Sequence, residues 1–181
     1  MQTETARLRL RPFARGDFGD LCQLYSDPDV MRYAGGVHSA EDTEQRLQRM
    51  MGHWSQFGYG MWAVHDKDSG AFVGRCGLQH LADTGEIELG YTFHRRFWGR
   101  GLATEASVAA LRFGFHAHVL QRIVAIARPE NVASWRVMEK LGMKFERQGP
   151  SPYGGSEVVW YALSRTDYEG QPESVRLGAQ R

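Results

Sequence analysis

The 181-residue sequence predicts a mixed α/β fold, with a sheet of about six or seven strands and flanking helices. Three observations carry that reading. Short segments whose apolar residues alternate recur along the chain, as half-buried strands require. Between them, other segments repeat apolar residues at the three- and four-residue spacing of helices. One such helical segment joins two strand-like ones, "EIELGYTF" and "RIVAIA", a βαβ unit whose strands should run parallel.

In "TARLRLRPF", Leu8 and Leu10 share one face and Arg7, Arg9 and Arg11 the other, until Pro12 interrupts the alternation. Residues 17–25 turn helical, and "SDPDVMRY" with Gly35 and Gly36 reads as loop with a short helical turn. A second helix starts at Ser39 as N-cap, with Asp42 as a variant of the capping box, and runs through Leu47, Met50 and Met51 to about Trp54. Gly58 and Gly60 close it. The strands "MWAVHD" and "AFVGRCGLQ" flank the turn residues Asp68, Ser69 and Gly70 and form a hairpin. In "EIELGYTF", Glu86, Glu88 and Gly90 face one side and Ile87, Leu89 and Tyr91 the other, so two carboxylates share a face. The helix that follows, to about His118, is apolar on more than one side and therefore largely buried. "RIVAIA" is a nearly continuous apolar run, the pattern of a strand covered on both faces. Asn131 as N-cap, the line Ala133, Val137, Leu141 and the stop Gly142 define one more helix. "MKFERQG" and "EVVWYALS" supply the closing strands. No repeat or linker divides the chain, which predicts a single domain over residues 1–165 and a loose polar tail over residues 166–181.

Composition works by exclusion. Contents of 42% apolar and 24% charged residues are those of a soluble globular protein, and no apolar run nears the roughly 20 residues of a membrane helix. A net charge of +1 argues against a broad nucleic-acid surface, whose affinity comes from neutralised phosphates. No segment at the start has the apolar core of a signal peptide, and Cys22 and Cys76 are single and far apart. The expectation is a reducing, cytoplasmic setting with both thiols as buried fillers. The basic residues are 19 Arg and 3 Lys, a skew read first as genomic composition and second as anion binding. His116 and His118 lie at a helix end without a third ligand, so they read as complements to the helix dipole, and no metal site is expected.

The segment "RRFWGRGLATEA", residues 95–106, carries the chemistry. Gly99 and Gly101 bare the backbone at the start of a helix, whose free N–H groups and positive dipole end attract an anion. Arg95, Arg96 and Arg100 add charge and Thr104 a hydroxyl. A plain glycine-rich strand-to-helix connection has the same pattern. A Walker-type phosphate loop is excluded for want of Gly-Lys-Ser/Thr. A dinucleotide fingerprint is excluded because Thr104 stands where its third glycine belongs.

The run Arg96-x-x-Gly99-x-Gly101 resembles the acyl-CoA pyrophosphate loop of the GNAT superfamily of N-acetyltransferases. Further on, "PENVASWRVMEKLGMKFE" resembles the second hallmark of that superfamily's ribosomal-protein alanine N-acetyltransferase (RimJ/RimL-like) branch, with Asn131, Ser134, Lys140, Leu141 and Gly142 in place. "TARLRLRPF", "DPDVMRYAGG" and "EIELGY" also resemble that branch in order and spacing, so the resemblance covers about residues 5–164.

The resemblance implies a GNAT-like sheet splayed at its centre, with acetyl-CoA in the gap between "EIELGYTF" and "RIVAIA". It implies that the backbone of Tyr91, Thr92 and Phe93 pairs with the pantetheine arm. Arg96, Gly99, Arg100, Gly101, Leu102, Ala103 and Thr104 would hold the pyrophosphate, and the Asn131 side chain would bond the pantetheine. The implied activity is acetyl transfer to an amine acceptor, a protein N-terminus slightly ahead of a small molecule, with no metal, nucleic-acid or membrane partner, by a monomer or homodimer. Glu88 aligns with the superfamily's strand carboxylate and is expected to be the base, acting through water, with Glu86 second; simple pairing of either with an arginine stays open. Many members carry a tyrosine seven residues after the asparagine, to protonate the departing thiolate. Here that position is Met138, which has no proton to give. Ser134 is the expected substitute, against a plain packing role, with Tyr153 and Tyr161 more remote. Met138 also keeps open a rival reading, a non-catalytic acyl-CoA-binding or regulatory protein on the same fold.

Overall fold

A computed structural model describes residues 1–81 and 84–176. Eight strands make its sheet: β1 (Thr3–Glu4), β2 (Leu8–Pro12), β3 (Met61–Asp66), β4 (Phe72–His80), β5 (Ile87–Phe93), β6 (Arg122–Ala127), β7 (Lys144–Pro150) and β8 (Glu157–Ser164). Their order is β1-β2-β3-β4-β5-β6-β8-β7. The strand beyond the expected seven is β1, whose two residues pair with Arg9 and Leu10 and are too few to show a period. β5 and β6 run parallel, as the βαβ pattern requires, and the remaining pairs are antiparallel.

Helices cover both faces. On one, α4 (Leu102–Arg112) buries Leu102, Ala106, Ala110 and Leu111 in a core with Cys76, Leu78, Leu89 and Phe93 of the central strands. On the other, α1 (Phe18–Tyr25), α2 (Pro28–Met31) and α3 (Ala40–Phe57) set Leu21, Leu24, Met31, Leu47 and Met50 against Met61, Ala63 and Phe72. The capping box forms in both directions at the start of α3: Asp42 N–H donates to Ser39 Oγ at 3.1 Å, and Ser39 N–H to Asp42 Oδ2 at 3.3 Å. Gly58, at φ 72°, ends the helix one turn later than the apolar pattern suggests. β6 is covered on both sides, with Ile123 and Ala125 in the α4 core and Val124 against Trp160 and Ala162. Among the described residues no helix is long and apolar enough to cross a membrane.

Two segments differ from the sequence pattern. The helix expected to reach His118 leaves α-geometry after Arg112 and winds through Phe113–Ala117 as a π-turn. His118 then packs edge-on against Phe113 and Tyr59, at centroid distances of 4.8 and 5.0 Å. The polar segment after residue 165 is ordered rather than loose through residue 176, as α6 (Arg165–Gly170) and α7 (Glu173–Arg176). Its anchor is Tyr168, 2% exposed and stacked on Phe115 at 4.6 Å. Residues 177–181 of the expected tail lie outside the described residues.

Candidate active site

β4 and β5 stay in register from Gly74 opposite Phe93 to His80 opposite Ile87, whereas β5 meets β6 only at Glu88 opposite Val124. Past that point the two parallel strands diverge. The gap opens into a cavity of about 1120 Å³ lined by residues 88–93 of β5, Ile126 and Ala127 of β6, and the loop into α4. Along residues 89–93 the β5 backbone therefore has no strand partner on the β6 side, which leaves its polar groups free for an extended ligand.

The loop at the cavity's far end turns on two glycines. Gly99 at φ 72° and Gly101 at φ 75° hold the left-handed backbone that other residues resist. The turn aims the first amides of α4 inward. N–H groups of residues 99–104 meet no backbone acceptor among the described residues, so a row of donors and the helix dipole face the cavity. Gly99, Gly101, Leu102, Ala103 and Thr104 line the wall, but Arg96 and Arg100 do not. Their guanidinium groups lie over the Phe97 ring, 5.1 and 5.6 Å from its centroid, which draws them off the cavity. Basic groups do line it from elsewhere: Arg128 after β6, Arg136 and Lys140 on α5 (Val132–Lys140), and Arg95, which is ion-paired with Asp29.

Asn131 caps α5. Its Oδ1 accepts from Ser134 N–H at 3.3 Å, and its amide nitrogen, with no partner among the described residues, is left to donate into the cavity. Tyr91 projects to the same helix end, where its hydroxyl donates to the Ser134 carbonyl at 2.8 Å and lies 3.1 Å from Ser134 Oγ. Burial pushes the Tyr91 phenol well above its ordinary pKa, so it keeps that proton. Met138 is 1% exposed and belongs to the α4 core.

On the opposite face of β5, Glu88 is 6% exposed. Its Oε2 accepts from Gln79 Nε2 at 2.8 Å and from the Tyr153 hydroxyl at 2.5 Å. Burial raises the carboxyl pKa above the usual range, and the two donors, with nearby Arg75, only partly oppose it. Glu86 shares the strand face but not the site. Arg122 at the start of β6 takes both its oxygens at 3.2 Å and bonds Glu146 as well, at 2.7 and 2.6 Å. Of the remote tyrosines, Tyr153 reaches the carboxylate, while Tyr161 packs edge-on against Phe145 at 5.8 Å, off the cavity wall.

The cavity continues under α1–α3, where Arg75 from β4, Arg46 from α3 and His38 line it. None of these appears among the expected site residues, nor does Gln79. A signal for two of them exists: Arg75, Gly77 and Gln79 alternate with Cys76 and Leu78, a polar face on an otherwise buried strand. Arg46 had none, because a basic residue on an exposed helix pattern reads as solvated surface. Away from the cavity, Asp17, Asp20 and His65 bring ligand-type atoms within 4.8 Å of one another. Asp17 is already committed there, to Arg11 at 2.6 and 2.7 Å and to Ala14 N–H at 2.8 Å.

A profile of the acetyltransferase (GNAT) domain matches residues 7–144. The chain belongs to the GNAT acetyltransferase family. This GNAT protein is 36% identical over 146 residues to the uncharacterized Bacillus subtilis protein YkkB, a match covering 79% of this chain and 85% of the relative. It is 26% identical over 149 residues to the spermidine N(1)-acetyltransferase of Escherichia coli K12, covering 77% and 74% of the two chains. The crystal structure of a GNAT-family acetyltransferase from Bacillus anthracis superposes with a TM-score of 0.79 at 30% identity, over 92% of this chain and 99% of that one. GNAT enzymes use acetyl-CoA as co-substrate. The unpaired β5 backbone and the row of free amides at residues 99–104 fit a pantetheine arm and a pyrophosphate in this GNAT protein.

Proposed function

We propose that this GNAT protein moves the acetyl group of acetyl-CoA to a primary amine, a protein N-terminus or a small molecule, by direct attack of the amine on the thioester. Resemblance of the Asn131 segment to the RimJ/RimL-like branch favours the protein N-terminus. The observation that carries the reading is Glu88, a buried carboxylate with a raised pKa on the cavity wall, at the one point where β5 and β6 still pair.

Bound acetyl-CoA supplies an activated acyl group on sulfur. The chain's own residues bind it, take up a proton and ease the sulfur's departure. Amides of residues 99–104 hold the pyrophosphate, residues 91–93 pair with the pantetheine arm, and Asn131 donates its amide nitrogen to it. As the free amine forms the new C–N bond and the C–S bond breaks, the proton left on nitrogen passes to the departing thiolate; beforehand Glu88, through a water, takes the ammonium proton. At pH 7 that proton costs roughly 1.4 kcal/mol to remove from an α-amine of pKa about 8, and roughly 4.6 kcal/mol from a lysine-like amine near 10.4. Tyr91 donates its hydrogen bond to the Ser134 carbonyl, so Ser134 Oγ–H, 3.1 Å from the Tyr91 oxygen, has that oxygen as its resting acceptor and turns from it to the departing sulfur, a thiolate stable enough to leave with a hydrogen bond alone.

Acetyl-CoA at 100 times its dissociation constant should stabilise the fold by about 2.7 kcal/mol, read as a rise in Tm. Release of free CoA thiol with peptide N-termini and small amines then measures transfer, with Ser134→Ala slowing it. Met138, buried where the superfamily's tyrosine stands, favours the second reading of a non-catalytic acyl-CoA binder. A rise in Tm without CoA release by any amine would select that reading, and no rise would reject both.

A further inference from the structure

We propose that the acceptor amine carries an anionic group, a carboxylate or a phosphate, and that Arg75 and Arg46 hold it. The inference rests on the transferase reading and narrows its substrate class. Arg75 leaves β4 on the face that also bears Gln79, the neighbour of Glu88, so it borders the side of the cavity from which an amine meets the base. Its guanidinium lies over the Tyr25 ring at 5.8 Å, and its Nε is sealed from solvent without a hydrogen-bond partner. Arg46 reaches the same region from α3, half-buried, and burial together with nearby Arg75 holds its pKa below the ordinary arginine value. His38 is pushed down by burial and by both arginines.

Among the described residues no carboxylate hydrogen-bonds to these cations, although Glu88 lies near enough to Arg75 to feel its charge. Neither Arg46 nor Arg75 makes an ion pair among the described residues. The acidic groups within reach are committed: Asp42 to the Ser39 cap, Asp29 to Arg95, and Glu88 to Tyr153 and Gln79. Two half-buried guanidinium groups on one cavity wall repel each other and lose part of their hydration, a cost no hydrogen bond to the Arg75 Nε offsets. An oxyanion from the acceptor recovers it, because the guanidinium fork matches a carboxylate or phosphate with paired donors. A polyamine would bring more positive charge to the same wall. The acceptor preference should therefore be opposite to that of the spermidine acetyltransferase relative.

The test measures kcat/KM for acetylation of matched amines by the full-length protein, with product mass as the readout. Butylamine is compared with 4-aminobutyrate, ethanolamine with phosphoethanolamine, and alanyl peptides with an acidic second residue against those with a basic one; spermidine completes the panel. The expected result is that the anionic member of at least one pair exceeds its counterpart by about tenfold or more, with spermidine lowest. The responding pair identifies carboxylate, phosphate or acidic peptide as the source. Arg75→Gln and Arg46→Gln should each shrink that preference toward unity, chiefly through KM, while Tm shows the variants folded. Equal use of neutral, cationic and anionic amines overturns the inference, as does a preference that survives in both variants. No turnover of any amine removes the transferase reading, and the inference with it.

Discussion

Replacing Glu88 by glutamine separates the carboxylate's chemistry from its place in the fold. One oxygen, Oε2, accepts both of its hydrogen bonds, from Tyr153 at 2.5 Å and Gln79 at 2.8 Å. The amide oxygen of glutamine can take the same two donors, so Glu88→Gln should leave the local packing intact. What disappears is the basic site. General-base assistance is worth about 10²–10⁴ in rate, and the demand for it scales with the amine's pKa. The expected loss in kcat/KM is about 10²-fold or more for an alkylamine, and about tenfold for a peptide α-amine, whose deprotonation costs roughly 3 kcal/mol less. A thiol-release assay across pH supplies the second readout. Wild type should gain rate as Glu88 ionises above the usual carboxylate value of about 4.3, and the variant should lack that limb. Stability moves the other way. The folded pKa is raised, so the fold binds this proton more tightly than the unfolded chain does. Its favourable contribution is complete below about pH 4.3 and is lost as pH climbs through the raised folded value. Glutamine has no such loss, so the variant's Tm relative to wild type should rise with pH. Rates within twofold of wild type for both amines, with an unchanged pH profile, would refute the assignment of Glu88 as base.

Three further outcomes follow from packing. A Cβ on Gly74 would lie 2.2 Å from the Thr92 carbonyl oxygen, so Gly74→Ala must shift the β4–β5 ladder beside the cavity and should cost about 1–3 kcal/mol by urea unfolding. Asn131→Ala removes the α5 cap, a loss of about 1 kcal/mol, and should weaken acetyl-CoA binding by more than that stability change explains, as read by titration calorimetry. Tyr168→Ala empties the stack on Phe115 and should cost about 3–5 kcal/mol while leaving the affinity for acetyl-CoA unchanged; a negligible effect on Tm would show that α6 does not anchor the chain.

The sequence by itself determined the features that depend on neighbours along the chain. Gly99 and Gly101 take left-handed backbone, Ser39 and Asn131 cap their helices, and "RIVAIA" is buried on both faces, because local torsion, capping and alternation are properties of short segments. These were enough to anticipate the local backbone of the cavity wall that Gly99, Gly101 and Asn131 line. Tertiary structure alone decided which side chains share it. Alternation put Glu86 and Glu88 on one face, but a face is not an environment: Arg122, 36 residues further on, captured Glu86 and left Glu88 to Gln79 and Tyr153. Phe97 likewise turned Arg96 and Arg100 away from the cavity that their sequence positions suggest they face. Arg46 and Arg75 come from a helix and a strand whose patterns carry no mark of each other. Only the packing of α1–α3 over the sheet brings them to one wall, because charge is felt through space while periodicity records only the direction in which a side chain leaves its own backbone.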